Sequence, residues 1–564
     1  MQAERHTMGR RAPRAAFLAL ASLAFAVFMT WPLASGLGSL GRTGVTNDPR
    51  FGTNGDGMFC LWNVSWVAHA VVADPLNLFD ANIFHPHKKS LAYSEANLVA
   101  GVLGAPVWWT TKNPYATLNV VILVAFATAW MFMWMLVRYL TGSAGAATVA
   151  GILYAFCPYV FAHTAHIQLM LTGGIPLTML MLHRLTDAPT IRRGIALGVA
   201  LLLQALACAY YGIFAALIVG FAVVFFSVSR SLFRSPAWWS AVGVAAFVSI
   251  VGVAPFFAPY LEIQQDEGFA RTLDDSIKFS ANAASYLASS AYAHRPLLRS
   301  IASWPKWTEV MFPGLLTVML AVIGVALAAR GRRASAVPRE RETVLLYGLI
   351  GVLSFWASFG PAGGLYSLLY NIPMFSFLRA PSRMAIVVVL CLVVIGSFAV
   401  RWLLAVAGTQ RALAATALTL LALADLATPM PWEPALTLPE PYGVLAKMPR
   451  GPLAEFPFYG GREAWHLHTQ YMTFSTSHWM PMMNGYSDHT PPRFRKDSFV
   501  LDSFPSNDSF RVLEWGRVRY IGIHWDMFGP RAEEIRGRLE PFLPYLRPLA
   551  ENPNVTLYEI RGFP

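Results

Sequence analysis

The residue best suited to reaction chemistry in this chain is Asp56, in the segment TNGDGM. Glycines on both sides permit close backbone approach by a ligand, and a carboxylate beside an apolar run is costly unless it is used or solvated. Ionised, it serves as a general base that takes a proton from an acceptor hydroxyl, or as a ligand for a divalent cation. As a structural residue it caps the helix that follows. Asp48 stands close by as a supporting candidate, whereas Asp74 and Asp80 in DPLNLFDAN read as turn residues.

Other clusters carry cations and hydrogen-bonding groups. His85, His87, Lys88, Lys89, Tyr93 and Glu95 share the segment FHPHKKSLAYSEAN. Their imidazoles and ammonium groups suit a phosphate and Glu95 suits a second acid/base role, the alternative being a solvated loop with snorkelling lysines. His163 and His166 in HTAHIQ have the spacing of one helix face. With no third ligand at a suitable distance they fit phosphate or hydroxyl binding rather than zinc, or a polar pair satisfied by its neighbours. Arg379 and Arg383 in FLRAPSRM are spaced to clamp a phosphate bidentately, or to anchor on lipid phosphates. In STSHWMPMMNGYSDHTPPRF, His478, Asn484, Tyr486 and Asp488 lie among turn formers, which suits sugar or glycolipid recognition or a structural loop between strands. No GxSxG, Walker, GxGxxG, HExxH or haem-attachment motif occurs, so serine hydrolase, nucleotide-driven and zinc-protease readings have no support.

The elements that must position these groups are apolar. Of 564 residues 55% are hydrophobic and 13% charged, where a soluble chain is about a quarter charged. The net charge of +12 sits mostly in short basic clusters between apolar runs, as membrane orientation requires and nucleic-acid binding does not. Four cysteines without CxxC spacing give neither a disulfide framework nor a zinc site. Residues 15–33 read as a retained signal anchor behind Arg5, Arg10, Arg11 and Arg14. Further uncharged runs occupy 115–137, 144–162, 167–182, 194–229, 237–261, 310–329, 343–378, 384–400 and 412–424. With a turn at CAYYG (208–212) and a break at GPAGG the total is about eleven spans.

A cytoplasmic N-terminus places Arg138, Arg184, Arg192, Arg193, Arg230, Arg234, the cluster Arg330–Arg341, Arg401 and Arg411 in cytoplasmic loops. Residues 34–114 and 262–308 then form outer loops of a transmembrane domain, 1–428, and 429–564 lies outside as an extracytoplasmic α/β domain. Within the first loop, 58–73 and 96–111 read as interfacial helices anchored by Trp62, Trp66, Trp108 and Trp109. The second loop is bounded by Tyr260, Glu262, Asp266 and Glu267 at one end and by Trp304, Trp307 and Glu309 at the other. In the C-terminal region the strands LAEFPFY, VRYIGIHW and VTLYEI flank a helix near 530–548.

The anchor, the acidic first outer loop with its interfacial helices and the bundle ending in an outer module resemble the GT-C superfamily of integral-membrane glycosyltransferases. More narrowly, the chain is similar over nearly its whole length to a group of large bacterial membrane proteins. That group carries a GDG-type acidic loop, a LFDANIFHP/LAYSEANL-like stretch, an LRAPSRM-like motif and an HWMPMMNGYSDHTPP-like segment. The resemblance implies a polytopic α-helical, GT-C-like protein of the bacterial inner membrane. It also implies sugar transfer from a polyprenyl-phosphate donor to an envelope glycan, lipid or protein acceptor on the outer side. By that resemblance Asp56 takes the catalytic acid/base position; no DxD or adjacent Asp-Glu pair stands there, so no metal ligand set is carried over. The residues themselves suggest Arg379, Arg383, His163 and His166 for the donor phosphate. Asp48, His85, His87, Lys88, Tyr93, Glu95, His478, Asn484 and Tyr486 are the supporting or acceptor-binding set. A lipid-linked glycan flippase and a non-catalytic scaffold binding envelope glycan are the competing readings, the former opposed by the scarcity of intramembrane charge.

Overall fold

The computed structural model describes residues 2–42, 55–268, 271–304, 309–330, 339–372 and 378–564, with the backbone alone over 2–15. Among the described residues, five helices are long and apolar enough to cross a membrane: Pro114–Thr141, Ala144–Ala162, Ala209–Ser229, Pro236–Glu267 and Pro381–Val406. Ala16–Met29, Leu98–Thr111 and Leu315–Ala329 are shorter apolar helices. Breaks fall where local chemistry dictates. Cys208 is extended between Ile191–Ala207 and Ala209–Ser229, and the helix Glu340–Ser358 stops before Gly360, where φ is positive. The run 167–182 is not one helix: Ile167–Met170 is followed by a turn and then by Gly174–Asp187.

By compactness the chain divides into two units, a different cut from the change of composition at 429. One comprises residues 1–35, 121–256 and 270–431, the other 36–120, 257–269 and 432–564.

In the first unit Ala385–Val406 is the central helix. It is buried along most of its length and packs on Leu315–Ala329, Glu340–Ser358 and Ala144–Ala155. One group of helix ends is tied by charge. Arg230 pairs with Asp187 at 2.7 Å and Glu342 at 2.9 Å, Arg339 reaches Asp187 at 3.1 Å, and Tyr139 donates to Asp187 at 2.5 Å.

In the second unit the helices Asp56–Ala73 and Leu98–Thr111 pack together, and His468–Ser475 packs on the former. A four-stranded sheet runs in the order Leu453–Phe456, Tyr520–His524, Val555–Ile560, Leu546–Glu551. The first pair is parallel, with Ala454 opposite Ile521, and the other pairs are antiparallel. Strands therefore stand within the three segments expected. The expected helix near 530–548 is shorter, Ala532–Leu539, because Pro541, Pro544 and Pro548 cannot continue it. Its last residues instead enter the edge strand, where proline's missing N–H is tolerated and a register shift occurs between Pro548 and Ala550.

The tryptophans of the first outer segment also differ from expectation. Trp62, Trp66 and Trp108 are buried, and only Trp109 is exposed. The Trp62 indole donates to Asn82 Oδ1 at 3.0 Å and Trp66 to the Leu78 carbonyl at 2.9 Å, so these rings form core rather than an interfacial belt.

Candidate functional site

Asp56 is the first residue of the helix Asp56–Ala73, and its cap is Gly55, whose carbonyl accepts from Phe59 N–H at 2.8 Å. Gly55 has φ of 93°, and a Cβ there would lie 2.8 Å from His466 Cβ, so glycine is required on both counts. Asp56 is thus released from the capping role, and its charge sits at the helix end that favours an anion. Tyr486 donates its hydroxyl to Asp56 Oδ1 at 2.9 Å and packs edge-on against Phe59 with ring centroids 5.9 Å apart. The acidic loop and the NGYSDH segment therefore meet at one carboxylate. Asp48 lies outside the described residues.

The other candidates of this unit are used in several ways. The Asn484 side chain pairs with the Glu455 backbone in both directions, at 2.8 and 3.0 Å, and is buried. The His478 ring accepts from Met480 N–H at 2.9 Å, stacks on Tyr442, and is pushed down to about 4 by burial. Lys88 pairs with Asp80 at 2.8 Å and Lys89 pairs with Glu262. The Glu95 carbonyl accepts from Asn63 at 3.2 Å. Tyr93 donates to Glu267 Oε1 at 3.0 Å, and His489 reaches Glu267 Oε2 at 2.6 Å. Burial and then the Glu267 charge hold the Tyr93 phenol far above its ordinary value. His85 and His87 line a cleft with Arg493, Asp497 and Trp515, three residues the sequence did not single out.

The remaining four candidates belong to the first unit, and three of them, His163, His166 and Arg383, gather around the Glu309 carboxylate. His163 and His166 are not on one helix face, because Pro158–Ala162 ends before them and Ile167–Met170 begins after; their rings stand 6.1 Å apart. The His163 Nδ1 faces the Tyr159 carbonyl at 2.7 Å and its Nε2 faces Glu309 Oε2 at 3.1 Å. Both ring nitrogens thus face oxygen atoms. Burial opposes ionisation of Glu309, but contact with His163, followed by the charges of Arg383 and His166, holds its carboxyl below the usual range. Arg383 lies over the Tyr210 ring at 4.2 Å, and its Nε has no hydrogen-bond partner among the described residues. The Arg379 backbone N–H donates to Tyr210 Oη at 3.0 Å, and its guanidinium lies over Phe279 at 4.9 Å. Glu309 and Tyr210 were legible only as a loop end and part of a turn.

No family model matches the chain, and no curated protein matches it. Among solved structures, the chain is similar to that titled "Crystal Structure of ArnT from Cupriavidus metallidurans in the apo state". The identity is 12% and the TM-score 0.40, with 97% of this chain and 98% of that one covered.

Proposed function

We propose that this protein is a membrane glycosyltransferase of GT-C type, in which Asp56 removes the proton from an acceptor hydroxyl as that oxygen attacks the anomeric carbon of a polyprenyl-phosphate-linked sugar. The observation that carries the reading is the hydrogen bond from Tyr486 to Asp56. A base must be held in one orientation to meet its proton within hydrogen-bond reach, and a phenol donor fixes the carboxylate without neutralising it. The bond to the phosphate breaks as the new glycosidic bond forms, and the leaving phosphate takes the electron pair. Within the first unit, Arg379 and Arg383, with His163 and His166, are proposed as phosphate-binding groups, since guanidinium donors match that geometry.

The test is transfer from a radiolabelled polyprenyl-phosphate hexose by the purified protein in proteoliposomes, with an envelope lipid fraction as acceptor. Asp56→Asn is expected to lower turnover by about 10²–10⁴-fold while leaving donor binding intact. Full turnover in Asp56→Asn would overturn the mechanism. Donor that crosses the bilayer chemically unchanged would replace it with the flippase reading.

A further inference from the structure

Two cations of the second unit, Lys112 and Arg450, stand around His69, near the far end of the helix that Asp56 begins. The His69 ring is held parallel between two indoles, Trp479 at 5.0 Å and Trp109 at 6.0 Å, with Trp66 and Trp108 also against it. Trp109 is itself fixed, because its indole N–H donates to the Ala68 carbonyl at 2.9 Å. Lys112 caps the helix Leu98–Thr111, and its ammonium lies 3.6 Å from the centre of the Trp109 ring. Arg450 is brought up beside Trp479 by its neighbour Gly451, whose N–H meets Met480 Sδ at 3.4 Å. Burial, then the charges of Lys112 and Arg450, push His69 down to about 4, so the imidazole is uncharged at neutral pH. Both cations are exposed, and neither has a carboxylate partner among the described residues.

Charge and surface together select the ligand. An ammonium and a guanidinium without counter-ions call for an anion, and both are good phosphate donors. The surface beside them is apolar. Val72, one turn beyond His69 on the same helix, is 60% exposed. On Leu98–Thr111, Ala100, Gly101, Gly104 and Trp108 are buried, while Val102, Leu103 and Trp109 are exposed on the opposite arc of the helix. Cations on flexible stems beside an indole and exposed aliphatic side chains are the composition of a membrane interface, where the charges reach headgroup phosphates. A soluble phosphate would use the cations and leave the apolar arc in water. A lipid satisfies both at once, and a headgroup whose phosphate is not balanced by its own ammonium gains most.

We propose that Lys112 and Arg450 bind the phosphate of an anionic phospholipid headgroup, whose acyl chains lie along Val72, Val102 and Trp109. The site holds the helices of the first outer segment to the bilayer surface, and it stands whether or not Asp56 catalyses transfer. Native mass spectrometry of the full-length protein released from detergent tests it, with phosphatidylglycerol, phosphatidylcholine and inorganic phosphate as separate probes. The tightest phosphatidylglycerol should bind about fivefold more weakly in Lys112→Gln or Arg450→Gln and about thirtyfold more weakly in the double variant. Lys112→Arg should retain most of the binding, and Arg511→Gln, at an exposed arginine elsewhere in the unit, should leave it unchanged. Phosphatidylcholine should bind wild type and variants alike. Undiminished phosphatidylglycerol binding in the double variant overturns the proposal, as does an equal loss of phosphatidylcholine. Inorganic phosphate that binds wild type and displaces the lipid, but fails to bind the double variant, would overturn it in favour of a soluble-phosphate site.

Discussion

Tyr486 and Asp56 are 430 positions apart in the chain, and each alone is an ordinary residue. Together they hold a carboxylate in one orientation. Tyr486→Phe removes one charge-assisted hydrogen bond at a half-buried site, and turnover of the donor sugar should fall about tenfold with little change in KM. The sequence marked both residues but could not join them. The histidines behave differently: His468, buried and bonded to Asn484 at 3.0 Å, is pushed down to about 3 by burial, and His478 to about 4. Because the folded values lie below the ordinary 6.5, the unfolded chain binds more protons as pH falls, so stability is full above 6.5 and declines toward pH 4. His468 alone should cost about 2 kcal/mol at pH 5. Melting temperatures recorded at pH 7, 6 and 5 should fall steadily, and less steeply in His468→Gln; a flat profile would contradict neutral burial.

Helices of the first outer segment show what periodicity leaves open. Both helices form where apolar residues and tryptophans accumulate, but composition does not say whether an indole meets lipid or protein. The answer came from partners: Asn82, itself bonded to Ser475 and to the Met480 carbonyl, receives Trp62 and turns a surface reading into core. Close packing of the pair depends on Gly101, where an added Cβ would lie 2.3 Å from Val67 Cβ. Gly101→Ala gains helix propensity but forces these helices apart, and the net cost should be about 1–3 kcal/mol. A lowered melting temperature that Val67→Ala restores in the double variant is the expected result. Additive destabilisation would show that the contact does not limit packing.

At the scale of the molecule, Arg230, Asp187, Arg339 and Glu342 join one set of helix ends and loops, while His163 meets Glu309 and Arg383 meets Tyr210 in another. The distribution of arginine predicts that the first set faces the cytoplasm. All four native cysteines are buried, so a single introduced thiol reports its own side. Asp508→Cys, at a side chain 74% exposed, should react with an impermeant maleimide in intact spheroplasts, and Arg234→Cys only after permeabilisation. The reverse pattern would invert the topology. The sequence by itself determined the apolar runs, the turn at Cys208 and the stop before GPAGG. Those features follow from hydrocarbon thickness and from backbone limits that act within a few residues. Only the tertiary structure decided that Glu309 meets His163, that Asp497 offsets Arg493 beside Trp515, and that Tyr486 reaches Asp56. The physical reason is that charge compensation and hydrogen bonding depend on separation through space, over a few ångströms, and spacing along the chain does not encode that separation.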